Sequence, residues 1–259
     1  MLESIMSLPV SIALLVWILK MKKNDPFPKY TFLKLLIAGV ISGILSSILS
    51  ILGALITFIA DYGLDTLISL FRSTSVAEVN QFIAQNTSDS LSFASILRGF
   101  LKTFILVGMM EEVFKFLCAK AVMKKEGVVK TWEDALFCLA IVAISFQLTE
   151  DMSYSSGNLI TAIFRALTPF HFTFATVMGY YYGLAKTTGK KGYNFLALFI
   201  PSLLHTLFDY SITLTSHEDT FLLLLIAVGI FLIVLTVVMI LKIRNWHKNK
   251  TLDVPISVS

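Results

Sequence analysis

Long apolar runs separated by short charged ones give this chain its pattern. Runs of sixteen to thirty residues occupy positions 4–19, 31–60, 96–123, 133–152, 159–186, 193–214 and 221–241. A helix needs roughly 20 apolar residues to cross a bilayer core. The pattern therefore predicts an all-α fold: a polytopic transmembrane helix bundle of about seven spans, forming one membrane domain over residues 1–259. The connecting segments alternate in charge. Lysines crowd after the first run (Lys20, Lys22, Lys23, Lys29), the third (Lys124, Lys125, Lys130), the fifth (Lys186, Lys190, Lys191) and the seventh (Lys242, Lys248, Lys250). The intervening segments carry Asp61, Asp65, Glu78 and Asp89, then Glu218 and Asp219. Basic loops face the cytoplasm, which places the N-terminus outside and the C-terminus inside. The first run has its positive charges after it and no small-residue cleavage site, so it reads as an uncleaved span.

Within that frame, residues 61–95 form an outer loop with short amphipathic helices over 64–71 and 76–84. Gly39 with Gly43, and Gly179 with Gly183, are Gly-x-x-x-Gly pairs of the kind that let helices pack closely. Pro169 offers a kink or break in the fifth run. Arg98 and Lys102 lie near the outer end of the third. The tail 251–259 is expected to fray.

Composition agrees with this class. Hydrophobic residues make up 56% of the chain and charged ones 15%, with a mean hydropathy of +0.80. The net charge of +4 is a topology signal and gives no indication of nucleic-acid binding. Cys118 and Cys138 sit in apolar runs without Cys-x-x-Cys spacing and read as packing thiols.

The pattern breaks at Glu111-Glu112-Val113-Phe114-Lys115, where three charges interrupt an apolar helix. Each ionisable side chain in a span costs roughly 2.5–3.5 kcal/mol or more. On a helix, Gly108, Glu111, Glu112 and Lys115 share one arc. Further ionisable residues sit in the next three spans: Glu150, then Arg165 and His171, then His205 and Asp209. Phe146 lies four residues before Glu150, and His205 four before Asp209, so each pair stacks on one face. The first, second and seventh spans contribute almost nothing of this kind. The set predicts a catalytic or transport core over residues 96–214.

Two mechanisms suit these residue types. In one, a glutamate in apolar surroundings beside a like charge acts as general base on a water, and a histidine stabilises the oxyanion. In the other, carboxylate and imidazole groups bind a divalent metal such as zinc, whose bound water is the nucleophile. No His-Glu-x-x-His motif is present. A metal-independent reaction is the preferred reading, since a carboxylate pair and histidines suffice.

Four motif pieces resemble the PrsW family of intramembrane proteases, within the wider group that includes the CAAX prenyl endopeptidases. They are Glu111-Glu112-x-x-Lys115, Phe146-x-x-x-Glu150, Arg165 with Pro169-Phe170-His171, and His205-x-x-x-Asp209 with Pro201 a turn before it. They occur in the family's order over roughly residues 100–210. Family members often carry Asn after the second-motif glutamate, where this chain has Asp151. The resemblance implies a multi-pass cell-membrane endopeptidase that cleaves a membrane-embedded protein substrate, such as an anti-sigma factor. It implies a catalytic set of Glu111, Glu112, Glu150, His171, His205 and Asp209, supported by Lys115, Phe146 and Arg165, with Glu112, Glu150, His171 and His205 as the candidate ligands of a divalent metal such as zinc. Within that set the two glutamates are the water-activating pair and Lys115 is a charge partner of Glu111. Arg165 is expected to snorkel or to pair with Asp151.

Two other classes compete: a non-enzymatic scaffold or immunity protein of the same fold, and a proton-coupled transporter. The intact motif set argues against the first, and the absence of evident repeats against the second. The protease reading requires these side chains to converge. Taken as straight spans, Glu150 lies nearer the outer face than Glu111 by on the order of 10 Å.

Overall fold

The computed structural model describes residues 2–72, 92–153, 168–215 and 217–256. The helices are α1 (Leu2–Met21), α2 (Lys29–Tyr62), α3 (Leu64–Arg72), α4 (Phe93–Thr103), α5 (Met109–Glu126), α6 (Trp132–Ser153), α7 (Phe170–Thr188), α8 (Gly192–Thr215) and α9 (Leu222–Lys248). No strand occurs among the described residues. A π-helical turn, Phe104–Gly108, joins α4 to α5, so that Phe93–Glu126 is one long rod. Among the described residues, five helical stretches are long and apolar enough to cross a membrane: α2, this rod, α6, α8 and α9. Arg165 and the segment 76–84 lie outside the described residues. The fifth apolar run is described from Thr168 onward, where Pro169 caps α7 and the helix begins at Phe170. Proline suits this position because it has no N–H to leave unpaired in the first turn.

The bundle is built around α6. From Ala135 to Ile144 every side chain is buried. A helix apolar on all sides is one that is surrounded. Both glycine pairs press on it. A Cβ on Gly39 of α2 would fall 2.6 Å from Ser145 Cβ and against the carbonyl of Val142. A Cβ on Gly183 of α7 would enter the Trp132 ring. The small-residue faces thus let two helix backbones close on the same neighbour. Hydrogen bonds lock the contacts: Ser145 Oγ donates to the Leu36 carbonyl (2.7 Å), and Trp132 Nε1 to the Gly179 carbonyl (3.1 Å). A second, smaller core of Phe170, Phe174, Phe208, Leu225 and Leu232 joins α7, α8 and α9.

The first turn of α6 receives both ends of the chain. Lys22, just after α1, donates to Asp134 at 2.6 Å. The tail is docked rather than frayed. The amides of Trp132 and Glu133 donate to the carbonyls of Val254 (3.0 Å) and Leu252 (3.2 Å), and Ile256 N–H donates to Lys130 (3.0 Å). Leu252 is buried in the main core. The physical reason is that the first N–H groups of a helix have no partner within it. The tail carbonyls supply that partner, and Leu252 adds apolar burial.

Candidate active site

The charged stretch of α5 faces inward. Glu112 and Lys115 are fully buried, and the side chain of Glu111 is 12% exposed. The π-turn immediately upstream is the local cause of this orientation. One extra residue in a helix turns the face that follows by about 100°. It also brings Gly108 against α8, where a Cβ would lie 2.7 Å from the Ser202 carbonyl and against Thr206 Oγ1. Helix α5 can therefore approach α8 closely at the level of the glutamates.

Four helices meet there. Lys115 Nζ donates to Glu112 Oε1 (2.6 Å) and to His171 Nδ1 (2.8 Å), and lies over the Phe146 ring at 4.1 Å from its centroid. Its distance to Glu111 Oε2 is 4.0 Å, so Lys115 is held chiefly by Glu112 and His171 and less by the expected Glu111. His171 stands in the first turn of α7 because Pro169 starts the helix. Its Nε2 is 2.7 Å from Glu150 Oε2 on α6. On α8, His205 Nδ1 is 3.0 Å from Glu112 Oε1, and its Nε2 is 3.0 Å from Asp209 Oδ2 and 3.5 Å from Glu111 Oε2. The two imidazole rings are 5.0 Å apart, centroid to centroid. His171 and His205 bridge Glu150 to Glu111 across the offset expected between them.

An ammonium has donors only, so Nδ1 of His171 accepts from Lys115 and the ring proton lies on Nε2, directed at Glu150. His205 is bracketed by carboxylates at both nitrogens. Donor atoms of Glu111, His171 and His205 lie within 4.8 Å of one another. Glu111 Oε2 and Glu112 Oε2 are buried without a hydrogen-bond partner among the described residues. Beside the histidines is a small cavity of about 10 Å³, with Gln147, Thr168, Phe174 and Asp209 in its wall. That volume holds about one water.

Of the residues expected from sequence, Glu111, Glu112, Lys115, Phe146, Glu150, His171, His205 and Asp209 converge. Gln147 and Thr168 were not anticipated. Gln147 is a lone amide in an otherwise apolar part of α6, and its Nε2 donates to the Thr168 carbonyl at 3.4 Å, beside the start of α7. Its polarity was the available signal.

Comparison with known proteins agrees with the motif resemblance. The model of the PrsW family of intramembrane metalloproteases matches residues 31–241. Protease PrsW of Halalkalibacterium halodurans is 32% identical over 171 residues, covering 62% of this chain and 78% of that protein. Protease PrsW of Oceanobacillus iheyensis is 27% identical over 177 residues, covering 66% and 78%. Protease PrsW of Clostridioides difficile is 34% identical over 119 residues, covering 42% and 50%. No solved structure matches. A family match over most of the chain, together with several membrane-crossing helices, makes this a multi-pass membrane protein and a protease: the chain belongs to the PrsW family of intramembrane proteases.

Proposed function

We propose that this protein hydrolyses a peptide bond of a membrane-anchored protein substrate, with Glu111 as the residue that activates the water. The observation that carries this reading is the convergence of two glutamates, two histidines and further carboxylates from four helices in one buried cluster, whose histidines and Asp209 line a water-sized cavity. Glu112 is saturated on Oε1 by Lys115 and His205 and is fully enclosed. Glu111 keeps a buried oxygen without a hydrogen bond and is partly open to solvent. These differences support a reading in which Glu111 activates the water and Glu112 holds His205. Glu150 and Asp209 orient His171 and His205, whose ring edges face the reacting carbonyl. Burial excludes bulk water, and the fixed donors act strongly in that low-dielectric setting. An anti-sigma factor with a single span, the substrate type implied by the family resemblance, fits an enclosed membrane site.

The residues fit a divalent ion. Two buried carboxylate oxygens are orphaned, three donors lie within 4.8 Å, and His205 Nδ1 is anchored on Glu112 as outer-shell carboxylates anchor metal-bound histidines. Glu111, His171 and His205 would hold it, which would require His171 to give up the Nε2 proton now directed at Glu150, since its Nδ1 already accepts from Lys115. The ion would supply Lewis acidity and a nucleophilic water at neutral pH. The preference for a metal-free reaction gives way on this donor set, which includes Glu111 where the expected carboxylate ligands were Glu112 and Glu150.

The test is cleavage of a membrane-tethered reporter by folded variants. Glu111→Gln is expected to lower the rate by about 10²–10⁴, the usual contribution of a positioned base. Near wild-type cleavage by this variant would overturn the assignment. Metal analysis of the purified protein is expected to find about one bound divalent ion per chain, depleted in His171→Ala and His205→Ala. Full activity after exhaustive chelation, with no ion detected, would leave the glutamate chemistry and remove the metal.

A further inference from the structure

A groove of about 450 Å³ opens on the outside of the bundle between α2 and α4, away from the candidate active site. That is the size of pocket that holds a small amphiphile or an acyl chain, roughly 300–1,000 Å³. Its floor is Leu97, Leu101 and Ile105, each close to half exposed, with Thr57 of α2 on the facing wall. Helix α4 fully buries none of its residues: one face packs on α8, with Phe100 edge-on to Tyr210, and Leu97 and Leu101 on the other stay close to half exposed.

The mouth of the groove is cationic. Arg98 and Lys102 both line it. Lys102 is neutralised by Asp61 of α2 at 2.6 Å. Arg98 is exposed and has no carboxylate partner among the described residues. The groove therefore presents one uncompensated guanidinium above a hydrocarbon floor. An occupant that matches both features has an anionic head and an apolar tail. A planar guanidinium forks a phosphate through two parallel hydrogen bonds. Basic positions between membrane helices recognise anionic lipid head groups in this way. A peptide helix would match only if it carried an acid at one particular position.

We propose that the groove between α2 and α4 binds one anionic phospholipid, with its phosphate on Arg98 and an acyl chain along Leu97, Leu101 and Ile105. The placement has a structural consequence. Ile105 belongs to the π-turn that precedes the glutamates, and so does Leu106, which packs on Gly53 and whose carbonyl accepts from Ser50 Oγ. The lipid thus lies against the turn that aims α5.

Native mass spectrometry of the full chain, released from mixed micelles, tests this. Phosphatidylglycerol and phosphatidylcholine with identical acyl chains are the probes. The wild type is expected to retain one phosphatidylglycerol about tenfold more than phosphatidylcholine, as one charge-assisted contact supports. Arg98→Gln should remove the preference and leave phosphatidylcholine retention unchanged. Arg98→Lys should keep part of it, and Leu101→Trp, which fills the floor, should lower retention of both lipids. Equal retention by the wild type, or a preference that survives Arg98→Gln, overturns the proposal. So does a second copy of the chain or a copurified peptide held there instead of lipid.

Discussion

Two buried lysine–carboxylate pairs stand at opposite ends of the same central helix system, and only one belongs to a candidate site. Lys22–Asp134 and Lys115–Glu112 each close at 2.6 Å, with all four side chains at most 6% exposed. Their surroundings differ. The Asp134 carboxylate is fully used: Oδ1 accepts from Lys22, and Oδ2 from the amides of Lys130 and Thr131 at 2.9 Å each. Lys22 has Asp25 as a further partner at 3.2 Å. Burial opposes its charge, but the hydrogen bond and charge of Asp134 outweigh this and hold its pKa above the ordinary lysine value. Glu112, in contrast, keeps one oxygen without a partner, and Lys115 shares its protons with an imidazole. A buried ion pair is weak evidence for anything by itself. What marks the second as chemical is the leftover acceptor capacity and the histidines beside it.

The comparison breaks most sharply at the carboxylates. Removing one partner of a buried pair costs about 3–5 kcal/mol. Asp134→Ala should therefore lower the unfolding midpoint strongly while leaving cleavage per folded molecule near wild type. Glu112→Gln also takes the carboxylate from a buried lysine and should lower the midpoint, though less than Asp134→Ala because an amide oxygen can still accept from Lys115 and Glu111 lies 4.0 Å away. Its larger effect should be a fall in cleavage per folded molecule of about 10²-fold or more, because the amide no longer anchors His205 as the carboxylate does. Thermal melts in detergent with a reporter-cleavage assay separate the two. A melt-neutral Asp134→Ala that abolishes cleavage would erase the distinction. A smaller effect is expected at Lys115. Lys115→Met leaves Glu112 and His171 in place but frees both to turn, so kcat should fall by about 10–100-fold with KM little changed. A fall confined to KM would place Lys115 in substrate binding.

Much of this was legible in the chain because apolar length and charge interruption are local properties. The run over 133–152 became Trp132–Ser153, and that over 193–214 became Gly192–Thr215. The partners of the motif residues were readable as a set, since Glu111, Glu150, His171 and His205 are each out of place in an apolar span. Their contacts were not readable. The π-turn has no residue signature in Phe104-Ile105-Leu106-Val107-Gly108 beyond the glycine, and it decides which way the glutamates face. Straight-helix arithmetic does place Lys115 within 4.0 Å of Glu111, but it gives no view of Glu112 and His171, which lie closer. Lys22 and Asp134 are 112 positions apart, so only the folded bundle brings them together. The tail looked free because its sequence is short and polar at both ends. Its docking depends on unpaired amides at Trp132 and Glu133, which no pattern in the tail announces.

That tail supplies the gentlest break in the comparison. Deleting residues 251–259 removes the Val254 and Leu252 acceptors and the buried Leu252 side chain. Each backbone hydrogen bond is worth about 0.5–1.5 kcal/mol net, but helix-start amides regain water when uncovered, so the loss should be about 2 kcal/mol. For a chain of this size that lowers the melting midpoint by about 5 °C. The Lys22–Asp134 pair remains to hold the first turn of α6, which is why the effect falls below that of Asp134→Ala. Trp132 and Glu150 are separated by roughly 27 Å of helix, at 1.5 Å per residue. Cleavage per folded molecule should therefore stay within about twofold of wild type, by the near-independence of distant sites. An unchanged melt would mean that the tail contributes nothing to the fold. A large loss of cleavage without a change in melting would mean that the clamp at one end of α6 sets the position of Glu150 at the other. The two paired ends of the helix would then be one device.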